Sequence, residues 1–313
     1  MKAVILDSDT LGQDIDLSPL EALVDQLDCW GASRPEDVIT RLEGASIAIT
    51  NKVPINQHTM DALPDLKMIA VTATGTNNID IEYAERRGIQ VANVAGYGTA
   101  SVAQHTLMMM LALATRLPRY QQEVAHHRWE QAPFFCMMNH TTMQLAGKHL
   151  IIVGSGELGR AVAELAMAFG MKVSFSARPG NPNDARPSLD SLLPAADVVS
   201  LHCPLTPETR HLLDRQRLAL LPPHALLINC GRGGLIDEEA ALEALQAQQL
   251  GGLGVDVLPV EPPTKGHPLI DALASGQHNL VVTPHNAWIA PEARQNMVSL
   301  TADNIRAFLN TSH

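Results

Sequence analysis

Short apolar runs, each followed by a helical pattern, recur along almost the whole chain. Val4–Leu6, Ile47–Thr50, Met68–Val71 and Gln90–Ala92 read as strands buried on both faces. Between and after them, Leu20–Leu27, Pro35–Leu42, Asn56–Leu63 and Ile81–Arg87 carry apolar residues at helical spacing. This alternation predicts a parallel sheet with helices on both faces. Gly96-Tyr97-Gly98-Thr99 marks a boundary, after which Thr99 or Ser101 can cap a long helix running through Leu117 and ended by Pro118. Val102, Thr106, Met109, Met110 and Leu113 form its small or apolar stripe. Trp129 to Thr142 is irregular, with Pro133 and the pair Phe134-Phe135, and is a candidate loop over a partner subunit. A second series of strands begins at His149 and continues through Met171–Phe175, Asp197–Leu201, Ala225–Asn229, Gly254–Val257 and Leu280–Thr283. Helical patterns lie near Leu189–Leu193, Asp214–Leu221 and Glu238–Ala247, which predicts a six-stranded Rossmann arrangement. A last helix, about Pro291 to Leu309, follows that sheet.

The second series opens on the most informative stretch, His149-Leu150-Ile151-Ile152-Val153-Gly154-Ser155-Gly156-Glu157-Leu158-Gly159-Arg160. A buried strand ends in Gly-x-Gly-x-x-Gly, and Leu158, Val162, Leu165, Ala166 and Phe169 continue at helical spacing. Gly154 and Gly156 allow a tight turn and close approach of backbone to a pyrophosphate. Gly159 lets helix and strand pack closely, and the helix N-terminus aims its free N–H groups at the phosphates. A glycine-rich turn that binds nothing is the bland alternative, and the strand–turn–helix setting favours a dinucleotide site.

The bulk properties narrow the choice. At 313 residues the chain is expected to form two domains. A net charge of −11 argues against nucleic acid or an anionic membrane as partner, so an anionic ligand needs local positive groups. Cys29, Cys136, Cys203 and Cys230 lack metal-ligand spacing, which predicts no metal site and fits reduced thiols in a cytoplasmic protein. The apolar run Ala3-Val4-Ile5-Leu6 is too short for a signal peptide. The apolar segment Thr106–Ala114 stops at Arg116 and Pro118, well short of a membrane span.

Ligands of doubly wound sheets sit beyond the carboxyl ends of the strands, and these ends carry the unusual polar groups. In the first series they are Asn51-Lys52 and Thr72-Ala73-Thr74-Gly75-Thr76-Asn77-Asn78, the second able to offer backbone N–H groups to an anion or to be a plain turn. In the second series they are His202-Cys203, Cys230-Gly231-Arg232-Gly233-Gly234, Asp256 with Glu261-Pro262-Pro263, and His285 after Pro284. Hydride transfer to a ketone needs a proton donor, a cation to hold and polarise the substrate, and a group that keeps the donor charged near neutral pH. Histidine, arginine and a neighbouring carboxylate suit these tasks. His202 and His285 compete for the acid role on position alone. Arg232, between Gly231 and Gly233, has the stronger case for touching a ligand, while Glu261 could be a loop residue and Asp256 a strand-end cap.

This constellation resembles the D-isomer-specific 2-hydroxyacid dehydrogenases over nearly the whole chain. The resemblance rests on Gly154–Gly159, Leu201-His202-Cys203-Pro204-Leu205-Thr206, Asn229–Gly234, Gly254–Val257 with Glu261-Pro262, and Thr283-Pro284-His285-Asn286-Ala287-Trp288. Ala73–Asn78 and Asn93–Thr99 look like the glycerate dehydrogenase (hydroxypyruvate reductase) branch, and the short tail after His285 leaves no room for an added regulatory domain. The resemblance implies a Rossmann dinucleotide-binding domain, 98–287, inserted into a flavodoxin-like substrate domain of 1–97 and 288–313. It implies His285 as acid/base, Glu261 as the partner that raises its pKa, and Arg232 as the substrate-orienting cation. Gly154, Gly156, Glu157, Leu158, Gly159, Ser176, Arg178, His202, Cys203, Pro204, Thr209, Cys230, Gly231, Asp256 and Ala287 are the implied cofactor contacts, Asp256 toward the nicotinamide carboxamide. Asn51 and Thr74-Gly75-Thr76 join Arg232 as the implied substrate contacts, and a homodimer built on the helix after Gly98 is implied as well. The expected reaction is NAD(P)H-dependent reduction of hydroxypyruvate or glyoxylate to D-glycerate or glycolate. Relatives acting on lactate, formate or phosphonate are the nearest alternatives, and a dinucleotide-sensing corepressor is a more distant one.

One position departs from the usual pattern. NAD-preferring Rossmann units carry an acid at the end of the second strand. Here Ala177 stands there, between Ser176 and Arg178, a setting that would welcome the 2′-phosphate of NADP(H); the alternative is that Arg178 stacks on the adenine of NAD(H) and the missing acid weakens binding.

Overall fold

A computed structural model describes residues 1–311, which divide into two compact units: Met1–Gly98 with the chain from Ile289 onward, and Thr99–Trp288. The first unit holds five parallel strands, β1 (Lys2–Ile5), β2 (Gln26–Cys29), β3 (Ile47–Thr50), β4 (Met68–Val71) and β5 (Gln90–Asn93), in the order β2-β1-β3-β4-β5. This is the flavodoxin-like order. β3 and β4 are buried at every residue because helices cover both faces. Val4, Leu6, Ala48, Ile69 and Val71 face one core with Met60 and Leu63. The helix Pro291–Thr311 packs on β4 and β5, burying Met297, Val298, Ala302 and Ile305.

The second unit holds β6 (His149–Val153), β7 (Lys172–Phe175), β8 (Val198–Leu201), β9 (Leu226–Asn229), β10 (Gly252–Val255) and β11 (Leu280–Val282), all parallel. Strand alternation splits its core in two. Ile151, Val153, Val199 and Leu201 face one side, and Leu150, Ile152, Val198 and Ile228 face the other, against Met109, Met110 and Val162. The six strands of this Rossmann arrangement run in the order β11-β10-β9-β8-β6-β7. A Rossmann sheet places its third strand outside the second. Here the third strand, β8, returns directly beside β6, and no strand lies beyond β7 among the described residues.

Three further elements differ from the pattern reading. The helix expected at Leu20–Leu27 covers only Ser18–Glu21, and Gln26–Cys29 pairs with β1 as an edge strand. Its half-exposed side chains give it no continuous apolar run to be seen by. The long helix ends at Ala114. Arg116 turns left-handed at φ 57°, and Pro118 enters the first turn of a new helix, Leu117–Ala125, where a missing N–H costs nothing. The helix Pro268–Ser275 has no counterpart among the expected helices, although Pro268 at its start and Gly276 at its left-handed end announce it. Among the described residues, no helix is long and apolar enough to cross a membrane.

Candidate active site

The glycine turn after β6 is shaped by close backbone approach. Gly154 has φ +108°, and a Cβ there would meet the His202 carbonyl at 2.4 Å. A Cβ at Gly159 would lie 2.0 Å from the Gly154 carbonyl, so the third glycine is what seats the helix Glu157–Ala168 on the turn. A Cβ at Gly156 would meet nothing within 4 Å. Gly156 is the N-cap of that helix and offers no side chain to its first N–H groups. Open space over uncapped donors at a helix N-terminus suits an anionic pyrophosphate, so these residues fit the dinucleotide that the sequence pattern implies. Glu157 accepts a hydrogen bond from Thr99 Oγ1 at 2.8 Å, and Leu158 packs against the core.

Beyond β7, Ser176 is buried, its N–H bonded to the Ile152 carbonyl, while Arg178 is exposed. The place of the expected acid is not wholly without a carboxylate. Asp184 accepts the Arg178 N–H at 2.8 Å, but Arg186 claims the same carboxylate from two nitrogens. The Arg186 guanidinium holds Asp184 well below the usual carboxylate range. Ala177, Arg178, Asp190, Leu212 and Arg217 line a cavity of about 440 Å³ here, with Arg217 paired to Asp190 at 2.6 Å.

After β8, His202 Nε2 lies 2.8 Å from Ser200 Oγ, and its Nδ1 is buried without a partner. Burial pushes this imidazole down to about 4, so it is neutral at physiological pH. Cys203 and Cys230 are buried thiols, pushed by desolvation up to about 11 and about 12. They are unreactive as thiolates. Thr209 spends its hydroxyl inside its own loop, donating to the Pro204 carbonyl and accepting from Thr206 N–H, both at 2.7 Å. Its observed work is therefore to hold the Pro204–Thr209 turn.

The registers bring three strand ends level: Asn229 of β9 stands beside Val255 of β10, and Val255 beside Val282 of β11. Arg232 follows on the first of these ends. Asn229, fully buried, clamps its turn by donating to the Arg232 carbonyl at 2.8 Å and accepting Gly231 N–H at 3.0 Å. A Cβ at Gly233 would lie about 2.1 Å from the Leu258 carbonyl carbon, so the Arg232 turn is pressed against the loop after β10. The exposed Arg232 guanidinium bonds its own neighbour, the Gly231 carbonyl, at 2.8 Å.

On that loop, Glu261 Oε1 accepts Leu258 N–H at 2.7 Å, and Oε2 lies 2.6 Å from His285 Nδ1. His285 sits at φ 53°, a left-handed conformation that costs a histidine on the order of 1–3 kcal/mol. Its N–H is held by the carbonyls of Asp256 and Thr283, at 2.8 and 3.0 Å. Asp256 is buried, and its carboxylate accepts Asn286 N–H, Ala287 N–H and the Thr283 hydroxyl, which also lies 3.0 Å from His105 Nε2. Asp256 thus caps its strand and secures the backbone that presents His285. Sequence reading missed Asn229, His105 and Thr283 as supports. Each is polar at a strand end or on an apolar helix, the only trace such a role leaves in one sequence.

In the first unit, Asn51 is buried, and Asp7 accepts N–H groups of Asn51, Lys52 and Val53. Asn93 Nδ2 donates to the Thr74 carbonyl at 2.7 Å, and the Thr76 carbonyl accepts Ile79 N–H, holding the Thr74-Gly75-Thr76 turn.

A parallel sheet with a glycine turn over an open helix N-terminus, and a histidine–carboxylate pair at its carboxyl edge, is the build of a dinucleotide-dependent dehydrogenase. Residues 107–287 match the NAD binding domain of the D-isomer specific 2-hydroxyacid dehydrogenases, and the chain belongs to that family. It is similar to a glycerate dehydrogenase of Methylorubrum extorquens, with 41% identity covering 88% of this chain and 86% of the relative. It is also similar to a hydroxypyruvate reductase of Blautia hydrogenotrophica, with 34% identity covering 100% and 98%. Among solved structures, the TT0316 protein of Thermus thermophilus superposes with a TM-score of 0.83 at 34% identity, over 99% of this chain and 97% of that one.

Proposed function

We propose that the protein reduces hydroxypyruvate, and glyoxylate as a smaller alternative, to D-glycerate and glycolate with a nicotinamide dinucleotide. The observation that carries this reading is the 2.6 Å pairing of His285 with Glu261 on the sheet that bears the glycine turn. The relatives named above support the choice of substrate. When bound, the reduced nicotinamide supplies a hydride to the 2-carbonyl carbon. His285 gives the proton: Glu261 occupies Nδ1, so Nε2 is the nitrogen that donates to the carbonyl oxygen, which becomes the hydroxyl. The carboxylate at Nδ1 fixes the orientation of the ring and leaves Nε2 free for the substrate. Arg232 offers a planar fork to the substrate carboxylate and carbonyl oxygen. Asn51 and the Thr74–Thr76 backbone are proposed as substrate contacts of the first unit, which is the substrate domain in this reading.

The cofactor choice follows from the loop after β7. With Ala177 at the acid's place, Asp184 paired to Arg186 and Asp190 to Arg217, Arg178 can offer its charge to a 2′-phosphate, with Glu208 the carboxylate that still acts on it. NADP(H) is therefore proposed as an accepted cofactor alongside NAD(H). Phe134, Phe135 and Met138 are 68%, 90% and 80% exposed, apolar surface that supports a homodimer covering this segment. Light scattering on a sizing column tests that point.

The deciding experiment follows NADH and NADPH oxidation with hydroxypyruvate, glyoxylate, pyruvate and bulkier 2-keto acids. Hydroxypyruvate is expected to give the highest kcat/KM. A clear preference for pyruvate or a bulky keto acid would replace this assignment with another member of the family, and inertness toward every keto acid would end it.

A further inference from the structure

The pair Glu261–His285 has a second carboxylate behind it. The loop after β10 carries Glu261 at its middle and His267 at its end, where His267 caps the helix Pro268–Ser275. His267 Nδ1 accepts Leu269 N–H at 3.3 Å, so its proton sits on Nε2 and points to Glu238 Oε2, 2.8 Å away. Glu238 is the first residue of the helix Glu238–Gln246 and directly follows its N-cap, Asp237. Its side chain is only 8% exposed, and its other oxygen, Oε1, is buried with no hydrogen-bond partner. Nothing in the reduction derived above uses this carboxylate. Among the described residues no lysine or arginine pairs with it, and His267 donates as a neutral ring, itself pushed down by desolvation against the opposing pull of Asp271. The charged groups that act on Glu238 are Glu261 from the loop and Asp237 from its own helix, and both are acidic.

We propose that Glu238 is a positioning residue for the acid–base pair: bonded to His267, it pins the far end of the Glu261 loop, and by gaining or losing a proton it sets how firmly Glu261 holds charge on His285. This rests on the function proposed above. Burial, with the Glu261 and Asp237 charges adding to it, raises the Glu238 carboxyl to about 7, where an enzyme working near neutrality samples both forms. Protonated, Glu238 leaves Glu261 as the main negative charge on His285. Ionised, it adds a second negative field that favours the imidazolium and extends proton donation to higher pH.

Glu238→Gln tests this, because the amide carbonyl still accepts from His267 while the charge is gone. The ratio of variant to wild-type kcat/KM in hydroxypyruvate reduction should fall about threefold between pH 6 and pH 8.5, as the alkaline limb moves about half a pH unit lower. The NMR titration midpoint of the His285 ring, assigned with His285→Asn, should move in the same direction without any substrate. Thermal scans give a third reading. A carboxyl raised in the folded state favours folding below its unfolded pKa and loses that contribution as pH rises toward 7, so the advantage of Glu238→Gln in Tm should grow from pH 5 to pH 8. A pH-independent kinetic ratio, an unmoved His285 midpoint or a constant difference in Tm each overturns the proposal. If the wild type proves inert toward keto acids, the function falls, while the ring titration and the thermal scans still judge Glu238.

Discussion

His285 Nδ1 and Glu261 Oε2 lie 2.6 Å apart, and the histidine reaches that position through a left-handed backbone held by the carbonyls of Asp256 and Thr283. Such strain persists where surrounding bonds over-determine it, and such positions cluster at functional sites. His285→Ala should therefore lose on the order of a hundredfold or more in reductive kcat, the usual scale for a general acid. His285→Asn, which tolerates the same backbone, should lose as much activity while keeping the wild-type Tm. Steady-state kinetics and thermal scans check both, and near wild-type turnover in either variant would remove His285 from the acid role.

Glu261→Gln separates charge from position. The amide keeps one acceptor oxygen, for Leu258 N–H, but turns an NH2 donor toward His285 Nδ1 and withdraws the carboxylate charge. The alkaline limb of the reductive pH profile should move to lower pH, with the rate at low pH falling less. An unchanged profile would leave Glu261 as a loop support only.

Gly156 and Gly159 should respond differently to alanine. At Gly156 the added methyl meets no protein atom, so Tm without cofactor should stay put. The dinucleotide Kd should rise about tenfold or more, equivalent to about 1.4 kcal/mol of lost approach. At Gly159 the methyl would collide with the Gly154 carbonyl, so Tm and binding should fall together. Calorimetric titration beside thermal scans distinguishes the two, and equal losses of Tm would contradict the open space over Gly156.

Arg178→Ala should lower kcat/KM for NADPH more than for NADH, since a 2′-phosphate would lose its cation. Ala177→Asp should move preference toward NADH by restoring a ribose acceptor beside the turn. If the ratio of the two specificities stays constant in both variants, the second-strand loop does not choose the cofactor.

His202 predicts a dependence on acid. Its imidazole is neutral down to about 4 in the folded protein, against an ordinary 6.5. The unfolded chain therefore takes up this proton first as pH falls. The stability His202 contributes is present above about 6.5 and is lost on acidification toward 4. His202→Gln should accordingly lose less Tm than the wild type between pH 7 and pH 4.5. Equal losses would mean that His202 is protonated within the fold.

Much of this molecule is written locally. Ile47–Thr50 and Met68–Val71 announce strands because a parallel sheet buried on both faces needs uninterrupted apolar runs. Gly154-x-Gly156-x-x-Gly159 announces its turn because Gly154 and Gly159 answer close backbone approaches while Gly156 leaves the space over the helix N-terminus open. By the same logic, Arg232 between glycines stands out from its neighbours, whereas position alone leaves His202 and His285 level. Other features exist only once the chain is folded. The edge strand Gln26–Cys29 pairs on one side alone and carries no continuous apolar signal. The return of β8 to the side of β6 is a matter of packing, which local pattern does not encode. The neutral state of His202 and the capture of Asp184 by Arg186 depend on burial and on neighbours, as does the unpaired oxygen of Glu238 behind Glu261. One sequence names the groups that can carry charge. Distance and desolvation, which only the tertiary structure sets, decide which of them do.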